Sequence, residues 1–367
     1  NSIMALKCGI IGLSNIGKTT IFNCVSNTKA ETSNFAFSTN KSNIGMVNVI
    51  DPRLKVLVDL MNSAKTIPAT VELVDIPGLT KGSSEGEGVG NKFLADIQQT
   101  NALIHVMRCF EDENLPHIEG SIDPVRDKEI VDFELQVRDL DLVERKIERL
   151  GKLVKIGDKN AKHGVEVLTK LKEFIEDFGN VRDFEVSEQD RKDFIHDMYL
   201  LTDKPTLYVC NVDDASAVHG NDFVDKVKEA VGDDGEVLII AGSLEAEIAE
   251  LDEEDQIDFL ADAGLKEPGV GKFVRGAYHL LNLQSFFTAG PKEVHAWTIR
   301  KGTLAPQAAG VIHCALERGC IRAEVMHYED LAELGSEAAC RDKGKLLIEG
   351  KNYVVQDGDI INIRFNV

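Results

Sequence analysis

Eight consecutive residues near the start of the 367-residue chain fit the pattern G-x-x-x-x-G-K-[ST], which is typical of loops that bind polyphosphates. Gly12 and Gly17 supply the glycines of this phosphate-binding loop, and Lys18 and Thr19 end it. Glycines let backbone N–H groups approach phosphate oxygens, and the first turn of the following helix faces the same anion. We therefore predict that Lys18 bridges the β- and γ-phosphates of a nucleotide and that Thr19 ligates Mg²⁺.

A second motif, D-x-x-G, follows the apolar run Val71 to Val74. Its aspartate, Asp75, stands where a carboxylate holds Mg²⁺ through water, and the N–H of Gly78 is expected beside the γ-phosphate. Thr39 lies in a polar segment between the first predicted helix and the next strand. That position predicts a third Mg²⁺ contact, with an ordinary loop threonine as the alternative.

Two further segments stand where nucleotide bases are read. The segment Asn211–Asp214 follows a predicted strand and fits N-x-x-D, the base-reading turn of GTPases, but Val212 replaces the usual lysine. The segment Gly242–Leu244 follows the next strand, where GTPases carry a second base-contacting loop. The residues predicted to contact the base region are Asn211, Val212, Asp214, Ser243 and Leu244.

The residue after Gly78 is Leu79, at the position where Ras-type enzymes place a glutamine that orients the attacking water. A leucine cannot orient water, so another group must do so. His117, in the loop after Cys109, is the candidate catalytic residue, with a surface loop histidine as the alternative. Asn15, in the phosphate-binding loop, is a candidate ligand for a monovalent cation such as K⁺.

Glycines crowd the segment that follows Leu79, and so much glycine indicates conformational freedom. A mobile segment beside the γ-phosphate is what a nucleotide switch requires. The glycines of this segment are Gly82, Gly86, Gly88 and Gly90.

Short, β-branched apolar runs precede these motifs, and segments with helical spacing lie between the runs. Strands that alternate with helices indicate an α/β fold with a mainly parallel sheet covered on both faces. The predicted strands are Leu6–Gly12, Val71–Val74, Ala102–Met107, Thr206–Val212 and Val237–Ala241.

The connection from Cys109 to Pro205 is far longer than a strand–helix–strand unit needs. Apolar residues recur at threes and fours on both sides of the turn-like segment Gly157–Asn160, which predicts an antiparallel helical hairpin of coiled-coil type. Nine basic and three acidic residues lie between Arg145 and Lys172, in a chain whose net charge is −21. We expect this positive charge at the hairpin tip, where it contacts a partner such as RNA; a solvated helix face is the alternative.

The character of the chain changes near Leu283, where a small separate α+β domain is predicted. Its predicted strands are Val294–Ile299, Gly310–Leu316, Lys345–Leu347 and Ile360–Phe365. The predicted domains are a nucleotide-binding domain over residues 5–127 and 205–281, a helical insertion over 128–204 and an α+β domain over 282–366.

Composition excludes several classes of protein. Apolar residues make up 43% and charged residues 28% of the chain, the balance of a soluble globular protein. No apolar run is long enough for a transmembrane helix, so no membrane partner is expected. Seven scattered cysteines without a C-x-x-C pair indicate reduced thiols in a cytoplasmic protein, not a disulfide scaffold or a zinc site.

Taken together, the motifs resemble those of the YchF family of Obg-related ATPases, and the resemblance covers nearly the whole chain. The segments that carry it are Gly12–Thr19, Asp75–Leu79, Gly86–Asn91, Arg108–Asp112 and Asn211–Asp214. The resemblance implies an OBG-type nucleotide-binding domain with a coiled-coil insertion and a C-terminal, ubiquitin-like TGS domain. It also implies Mg²⁺ at Thr19 and Thr39 and nucleotide contacts at Val212 and at the loop residues Asn15, Ile16, Gly17, Lys18, Thr19 and Thr20.

The resemblance further implies hydrolysis of ATP in preference to GTP, binding to the ribosome and its large subunit, including the 70S particle, and binding to nucleic acid. A loop histidine that matches His117 is proposed in the family as the substitute for the missing glutamine. Ser14 and Thr19 stand where the family usually has proline and serine, and Asp214 stands where it usually has glutamate. Asp214 favours guanine, whereas Val212 in place of lysine argues against strict guanine selection.

Three functions stay open at this point. The first is an ATP-driven switch that acts on the ribosome, and the second is a GTPase of the same role. The third is a nucleic-acid-binding protein whose nucleotide is structural. A metabolic kinase is disfavoured, because nothing marks a pocket for a second substrate.

Overall fold

The computed structural model describes residues 6–26, 42–84 and 89–365. Thr39, Gly86 and Gly88 lie outside the described residues. The chain divides into two compact units, one of residues 1–45 and 72–273 and one of residues 46–71 and 274–367. Within the described part of the chain, no helix is long and apolar enough to cross a membrane.

The first unit is built on a mainly parallel sheet whose central strands are buried. The strands of this sheet are β1 (Lys7–Ile11), β2 (Asn43–Asn48), β4 (Thr70–Asp75), β5 (Ala102–Arg108), β6 (Thr206–Asn211) and β7 (Val237–Ile240). Their order is β2-β4-β1-β5-β6-β7, and β1 pairs in parallel with both β4 and β5. Every residue of β5 and β6 is buried, as expected for strands covered on both faces. The predicted α/β fold with a mainly parallel sheet is confirmed.

Helices connect these strands, and several of them cover the sheet. They are α1 (Lys18–Ser26), α3 (Val89–Gln98), α4 (Pro124–Val154), α5 (Lys159–Glu176), α6 (Glu188–Asp190), α7 (Asp222–Val231), α8 (Gly242–Ala249) and α9 (Glu253–Asp262). One side of the sheet packs on α7 and α8 through a cluster that includes Tyr208, Val224, Val227 and Ile248. The core therefore lies directly beneath the carboxyl ends of the strands, which are the ends that carry the motifs.

The long helices α4 and α5 form the predicted antiparallel hairpin, and its turn lies where the sequence placed it. Asp123 and Asp158 accept hydrogen bonds from the first turns of the two helices and cap them. Apolar residues of both helices fill the space between them, in a cluster that includes Val143, Leu168 and Leu171.

The basic residues of the hairpin differ in their exposure to solvent. Lys146 is 5% exposed, and its Nζ donates to the Asp197 carboxylate at 2.6 Å, so this lysine is part of the packing. The lysines near the turn are instead exposed to solvent: Lys152, Lys155, Lys159 and Lys162. The positive charge of the tip therefore comes mainly from these exposed lysines, which we call the tip lysines.

The second unit contains a mixed sheet with helices packed on it. Its strands are β3 (Thr66–Ile67), β8 (Leu283–Ala289), β9 (Val294–Arg300), β10 (Cys320–Met326), β11 (Leu347–Glu349) and β12 (Ile360–Phe365), in the order β11-β10-β12-β8-β9-β3. Its helices are α2 (Pro52–Met61), α10 (Gly269–Leu280, which leads into the unit), α11 (Ala305–Ile312), α12 (Cys314–Gly319), α13 (Tyr328–Leu334) and α14 (Glu337–Asp342). This architecture confirms the predicted small α+β domain.

One predicted strand of this domain, Gly310–Leu316, is wrong, because the segment belongs to α11 and α12. Pro306 stands in the first turn of α11, where its missing N–H costs nothing. Ala305 and Ala308 then place small side chains on the face that meets the sheet. The β-branched pair Val311-Ile312 had favoured a strand, and packing overrode that local preference.

Residues 46–71 group with the second unit, apart from the ends that belong to β2 and β4 of the first sheet, although the predicted boundaries place them in the nucleotide-binding domain. Strand β3 pairs with β9, and the Arg53 guanidinium contacts the carboxylates of Asp51 and Asp357 at 2.8 and 3.1 Å. The β3–β9 pairing and the Arg53–Asp357 contact join residues that are far apart in sequence. No local pattern in the sequence marks them.

Candidate nucleotide-binding site

The phosphate-binding loop leaves β1 at Ile11 and enters α1 at Lys18. Asn15 and Gly17 have positive φ angles of 61° and 83°, so the loop requires residues that tolerate left-handed backbone. A Cβ at Gly12 would lie 2.6 Å from the carbonyl oxygen of Val106, which only glycine avoids. Backbone sterics therefore explain why glycines occupy these positions in the motif.

The charged groups of the two motifs meet at the start of α1. The Lys18 Nζ donates to Asp75 Oδ1 at 2.6 Å, and both residues are almost fully buried. The Thr19 hydroxyl lies 3.4 Å from Asp75 Oδ2. The structure thus brings together the ammonium, hydroxyl and carboxylate that the sequence predicted for phosphate and metal binding.

This set of groups fits Mg²⁺. A hydroxyl and a carboxylate are hard oxygen ligands, which Mg²⁺ prefers, and it usually fills the rest of its coordination with substrate phosphates and water. Within the described part of the chain, no group of three or more His, Cys, Asp or Glu residues is arranged to hold a metal. A metal at Thr19 and Asp75 would therefore depend on a bound nucleotide for most of its ligands.

The D-x-x-G segment packs directly against the phosphate-binding loop. The N–H of Leu79 donates to the carbonyl of Gly12 at 2.9 Å. A Cβ at Gly78 would lie 2.8 Å from the backbone nitrogen of Ser14, so only glycine fits there. The Leu79 side chain is fully buried, which places it in the core and removes it from any role in orienting water.

Asn211 connects the loop to the far end of the sheet. Its Nδ2 donates to the carbonyl of Ile16 at 2.9 Å, and its Oδ1 accepts from the N–H of Gly242 at 2.9 Å. The residue is 4% exposed, so both hydrogen bonds are made out of contact with bulk water. Asn211 therefore braces the phosphate-binding loop against the connection between β7 and α8.

A cavity of about 150 Å³ lies over this arrangement. The predicted site residues that line it are Asn15, Ile16, Gly17, Lys18, Thr19, Thr20, Gly78, Asn211 and Ser243. The lining residues that were not predicted as site residues include Phe110, Asp112 and Leu115. These three residues come from the loop that follows β5.

This loop is shaped by Arg108, the last residue of β5. Its guanidinium is 1% exposed and donates to the backbone carbonyls of Phe110 at 3.1 Å and Leu115 at 2.7 Å. Burial lowers the pKa of Arg108 from its usual value. A charged residue at the end of a mostly apolar strand is the sequence signal that would have drawn attention to this loop.

Three residues predicted at the base end do not line the cavity. Val212 is 2% exposed and its N–H donates to Ile240. Leu244 packs in the core cluster beneath α8. Asp214 is exposed in a short 3₁₀ turn that the Asp213 side chain caps. The base end is thus formed differently from the phosphate end.

His117 lies in the loop after β5, but its ring does not line the cavity. Its Nδ1 accepts from the N–H of Glu119 at 2.9 Å, and its Nε2 lies 2.6 Å from Asp127 Oδ2. Because a backbone N–H donates to Nδ1, the ring proton resides on Nε2 and points to Asp127. The ring is 1% exposed, so both nitrogens are used within the protein.

Two polar atoms of the phosphate-binding loop are buried and have no hydrogen-bond partner within the described part of the chain: Ser14 Oγ and Asn15 Oδ1. A buried acceptor without a donor is costly. Asn15 Oδ1 therefore fits a cation or a water at the loop, in line with its predicted role towards a monovalent cation.

Two family models match the chain. The model described as 50S ribosome-binding GTPase matches residues 7–146. The model YchF-GTPase_C, described as a protein of unknown function (DUF933), matches residues 283–366. The first match covers the phosphate-binding loop, D-x-x-G and His117, and the second covers the α+β domain.

The chain is also similar over its full length to known proteins. It is 46% identical to "Ribosome-binding ATPase YchF" of Bacillus subtilis (strain 168), covering 99% of this chain and 100% of that protein. It is 41% identical to "Obg-like ATPase 1" of Gallus gallus, covering 99% and 93%. Among solved structures, the Schizosaccharomyces pombe YchF GTPase matches with a TM-score of 0.84 and 33% identity over 98% of each chain.

Proposed function

Because the chain belongs to the YchF family of P-loop nucleotide hydrolases, we propose that it hydrolyses ATP with Mg²⁺ and acts on the ribosome. The observation that carries the proposal is the buried cluster of Lys18, Thr19 and Asp75 beneath the phosphate-binding loop. Relatives of the same length are named as ribosome-binding ATPases.

We propose the following roles for the residues of the cluster. The loop amides and Lys18 bind the β- and γ-phosphates, and Thr19 and Asp75 hold Mg²⁺, with Thr39 as a further proposed ligand. When bound, Mg²⁺ neutralises charge that develops on the phosphates. Asp75 is already paired with Lys18, so the ammonium is held at the place where the phosphates arrive. Gly78, packed on Ser14, lines the same cavity.

The preference for ATP rests on the base end of the cavity. A lysine at position 212 is absent, and the Val212 side chain is buried away from the cavity. Asp214, the residue that favours guanine, is exposed and does not line the cavity. The alternative of a GTPase with the same role rests on Asp214 alone.

Calorimetric titration with ATP and GTP, each with Mg²⁺, separates these two proposals. We expect ATP to bind at least as tightly as GTP. GTP binding about tenfold tighter, a difference of about 1.4 kcal/mol, would reverse the assignment. Turnover of neither nucleotide, alone or with ribosomes, would reject hydrolysis altogether.

We propose His117 as the group that positions the attacking water, which requires it to leave Asp127. His117→Ala should lower turnover about 10²–10⁴-fold and leave ATP affinity unchanged, since a general base contributes about that much. His163→Ala is the matched control, because His163 lies on the hairpin and is half exposed. Unchanged turnover in His117→Ala would exclude a catalytic role for this histidine.

The tip lysines are the proposed contact with the ribosome, and through it with RNA. Ile156 lies among them and is 81% exposed, so the tip presents both charge and apolar surface. A ribosome contact of this kind implies that the protein acts in the cytoplasm. We further propose that this contact is made with the large ribosomal subunit.

Changing the tip lysines to glutamine should weaken co-sedimentation with ribosomes, most clearly at low salt, because phosphate contacts are salt-dependent. The matched control changes four exposed lysines elsewhere to glutamine: Lys226, Lys228, Lys266 and Lys301. Separate runs with large subunits and with 70S particles locate the site. Equal sedimentation of the two variants would remove the tip from the proposal. Loss of ribosome binding with hydrolysis unchanged would leave the proposal of ATP hydrolysis intact.

A further inference from the structure

Helix α4 carries two buried carboxylates on one face, and each contacts a loop that is continuous in sequence with residues lining the nucleotide cavity. Asp127 and Glu134 are both 2% exposed and are separated by about two helical turns. Asp127 contacts His117 in the loop after β5. Glu134 contacts the loop after D-x-x-G, residues 80–84.

The contact of Glu134 is made entirely to backbone. Its Oε1 accepts from the N–H of Gly82 at 2.7 Å, and its Oε2 accepts from the N–H of Ser84 at 2.7 Å. Gly82 has a φ of +83°, which turns the chain so that both N–H groups face the carboxylate. We call this arrangement the Glu134 latch. It lies only a few residues beyond Gly78, which rests on the phosphate-binding loop.

The charge on Glu134 is stabilised only while residues 80–84 keep their present position. A buried carboxylate is costly unless it is paired or hydrogen-bonded. Among the residues that the structure describes, Glu134 has no ion-pair partner, so the two N–H groups compensate its buried charge. Any movement of residues 80–84 towards a bound γ-phosphate therefore breaks bonds that Glu134 needs, or pulls α4 along with the loop.

Helix α4 is hydrogen-bonded to the residues that follow α5 and to residues 201–202. Gln136 donates to the carbonyl of Phe178 at 3.1 Å and to Asn180 at 2.8 Å, just beyond α5. The Asp139 carboxylate accepts from the N–H groups of Leu201 and Thr202 at 2.7 and 2.8 Å. These hydrogen bonds hold α4 to the segment that follows α5. A displacement of α4 at Glu134 is therefore expected to move both helices of the hairpin together.

We propose that Glu134 is a positioning residue for hydrolysis, and that the latch passes nucleotide-dependent movement of residues 80–84 into the α4–α5 hairpin. The inference rests on the proposed function only in treating this chain as a nucleotide hydrolase. It assigns to Glu134 a role that the phosphate and metal chemistry does not require. Glu134 touches neither the nucleotide cavity nor the tip lysines.

Hydrogen–deuterium exchange of the full chain, with and without a non-hydrolysable ATP analogue, tests the proposal in Glu134→Gln. The amide keeps one acceptor oxygen but turns an NH₂ group towards the second N–H. Glu129→Gln is the matched control, since Glu129 is exposed on the same helix and loses the same charge.

In wild type and in Glu129→Gln, we expect the analogue to change exchange in residues 135–176. In Glu134→Gln this change should vanish, with ATP affinity within about threefold of wild type and turnover lower by about tenfold, the scale of one lost charged hydrogen bond. A purely structural role would lower stability without removing the nucleotide response of the hairpin.

An unchanged response of the hairpin in Glu134→Gln, or no response in wild type that binds ATP, would overturn the proposal. Failure of wild type to bind or hydrolyse nucleotide would instead reject the proposed function. Should Glu134→Gln fail to fold, Glu134→Asp carries the same test, because it keeps the charge but cannot span both N–H groups. A hairpin response of normal size in that variant would also contradict the latch.

Discussion

The two ends of the nucleotide cavity are formed in different ways. At the phosphate end, Lys18, Thr19 and Asp75 meet within 3.4 Å, and Gly78 rests on the loop. At the base end, Val212 is buried in the core, and Asp214 is exposed and does not line the cavity. Asn211 links the two ends through hydrogen bonds to Ile16 and Gly242.

This difference separates the part of the site that binds any nucleoside triphosphate from the part that selects the base. Any nucleoside triphosphate presents the same phosphates, so the phosphate end needs one fixed arrangement of charge and backbone amides. Discrimination between bases depends on hydrogen bonds placed at base edges, and a site that lacks them discriminates weakly. A chain with a complete phosphate end and an altered base end is therefore expected to bind nucleotides well and to select guanine poorly.

The largest effect should come from Lys18→Ala. Removing a preorganised donor to charge that develops in the transition state costs about 10²–10³-fold in turnover, and we expect a loss of at least that size. Steady-state hydrolysis assays with ATP and GTP measure it. Lys7→Ala is the control, since Lys7 is about one-third exposed and pairs with Glu72 at 3.5 Å. Turnover that survives in Lys18→Ala would show that the phosphate end is not the catalytic end.

The second-largest effect should come from Asp75→Asn. The change leaves the buried Lys18 ammonium without its counter-ion, which typically costs about 3–5 kcal/mol of stability. It also removes a metal ligand, so more Mg²⁺ should be needed for half-maximal turnover. Chemical unfolding and a Mg²⁺ titration of hydrolysis check the two effects. A stable variant with an unaltered Mg²⁺ requirement would contradict the placement of the metal.

Asn211→Ala should have an intermediate effect that is equal for the two nucleotides. It leaves the carbonyl of Ile16 and the N–H of Gly242 buried without partners, at about 1–3 kcal/mol each. Because Asn211 braces the loop, we expect ATP and GTP affinities to fall together by about tenfold, within that range of free energy. Calorimetry that shows a loss for GTP alone would instead identify Asn211 as a base-reading residue.

Asp214→Ala should have the smallest effect. The side chain is exposed and does not line the cavity, and exposed surface substitutions usually change free energies by less than about 0.5 kcal/mol. Affinities for ATP and GTP should each stay within about threefold of wild type. A selective loss of GTP affinity would mean that Asp214 moves onto the base when nucleotide binds, and the contrast between the two ends would weaken.

Much of the phosphate end was readable from sequence, because each motif encodes a local backbone shape. Gly12 and Gly17 stand where a Cβ would collide with Val106 or Asn211, and Lys18 starts the helix that the pattern requires. The hairpin was readable for a similar reason, since its apolar period and its turn are local features. By contrast, the helix α11 was mistaken for a strand where its β-branched residues outweighed its alanines.

Long-range contacts explain what the sequence did not reveal. The grouping of residues 46–71 with the second unit depends on pairing between β3 and β9. The pairing of His117 with Asp127 and of Glu134 with residues 80–84 joins segments that no spacing rule connects. Each of these contacts is decided by which surfaces the folded chain brings together.

The sequence alone determined that this protein binds a polyphosphate, because glycine positions and a lysine at a helix start suffice to specify that local geometry. It also determined the parallel sheet and the hairpin, whose periods of apolar residues are visible without a structure. Only the tertiary structure decided that Leu79 and Val212 are buried and that Glu134 holds residues 80–84. Burial and buried hydrogen bonds depend on partners distant in the chain, and a linear pattern does not specify them.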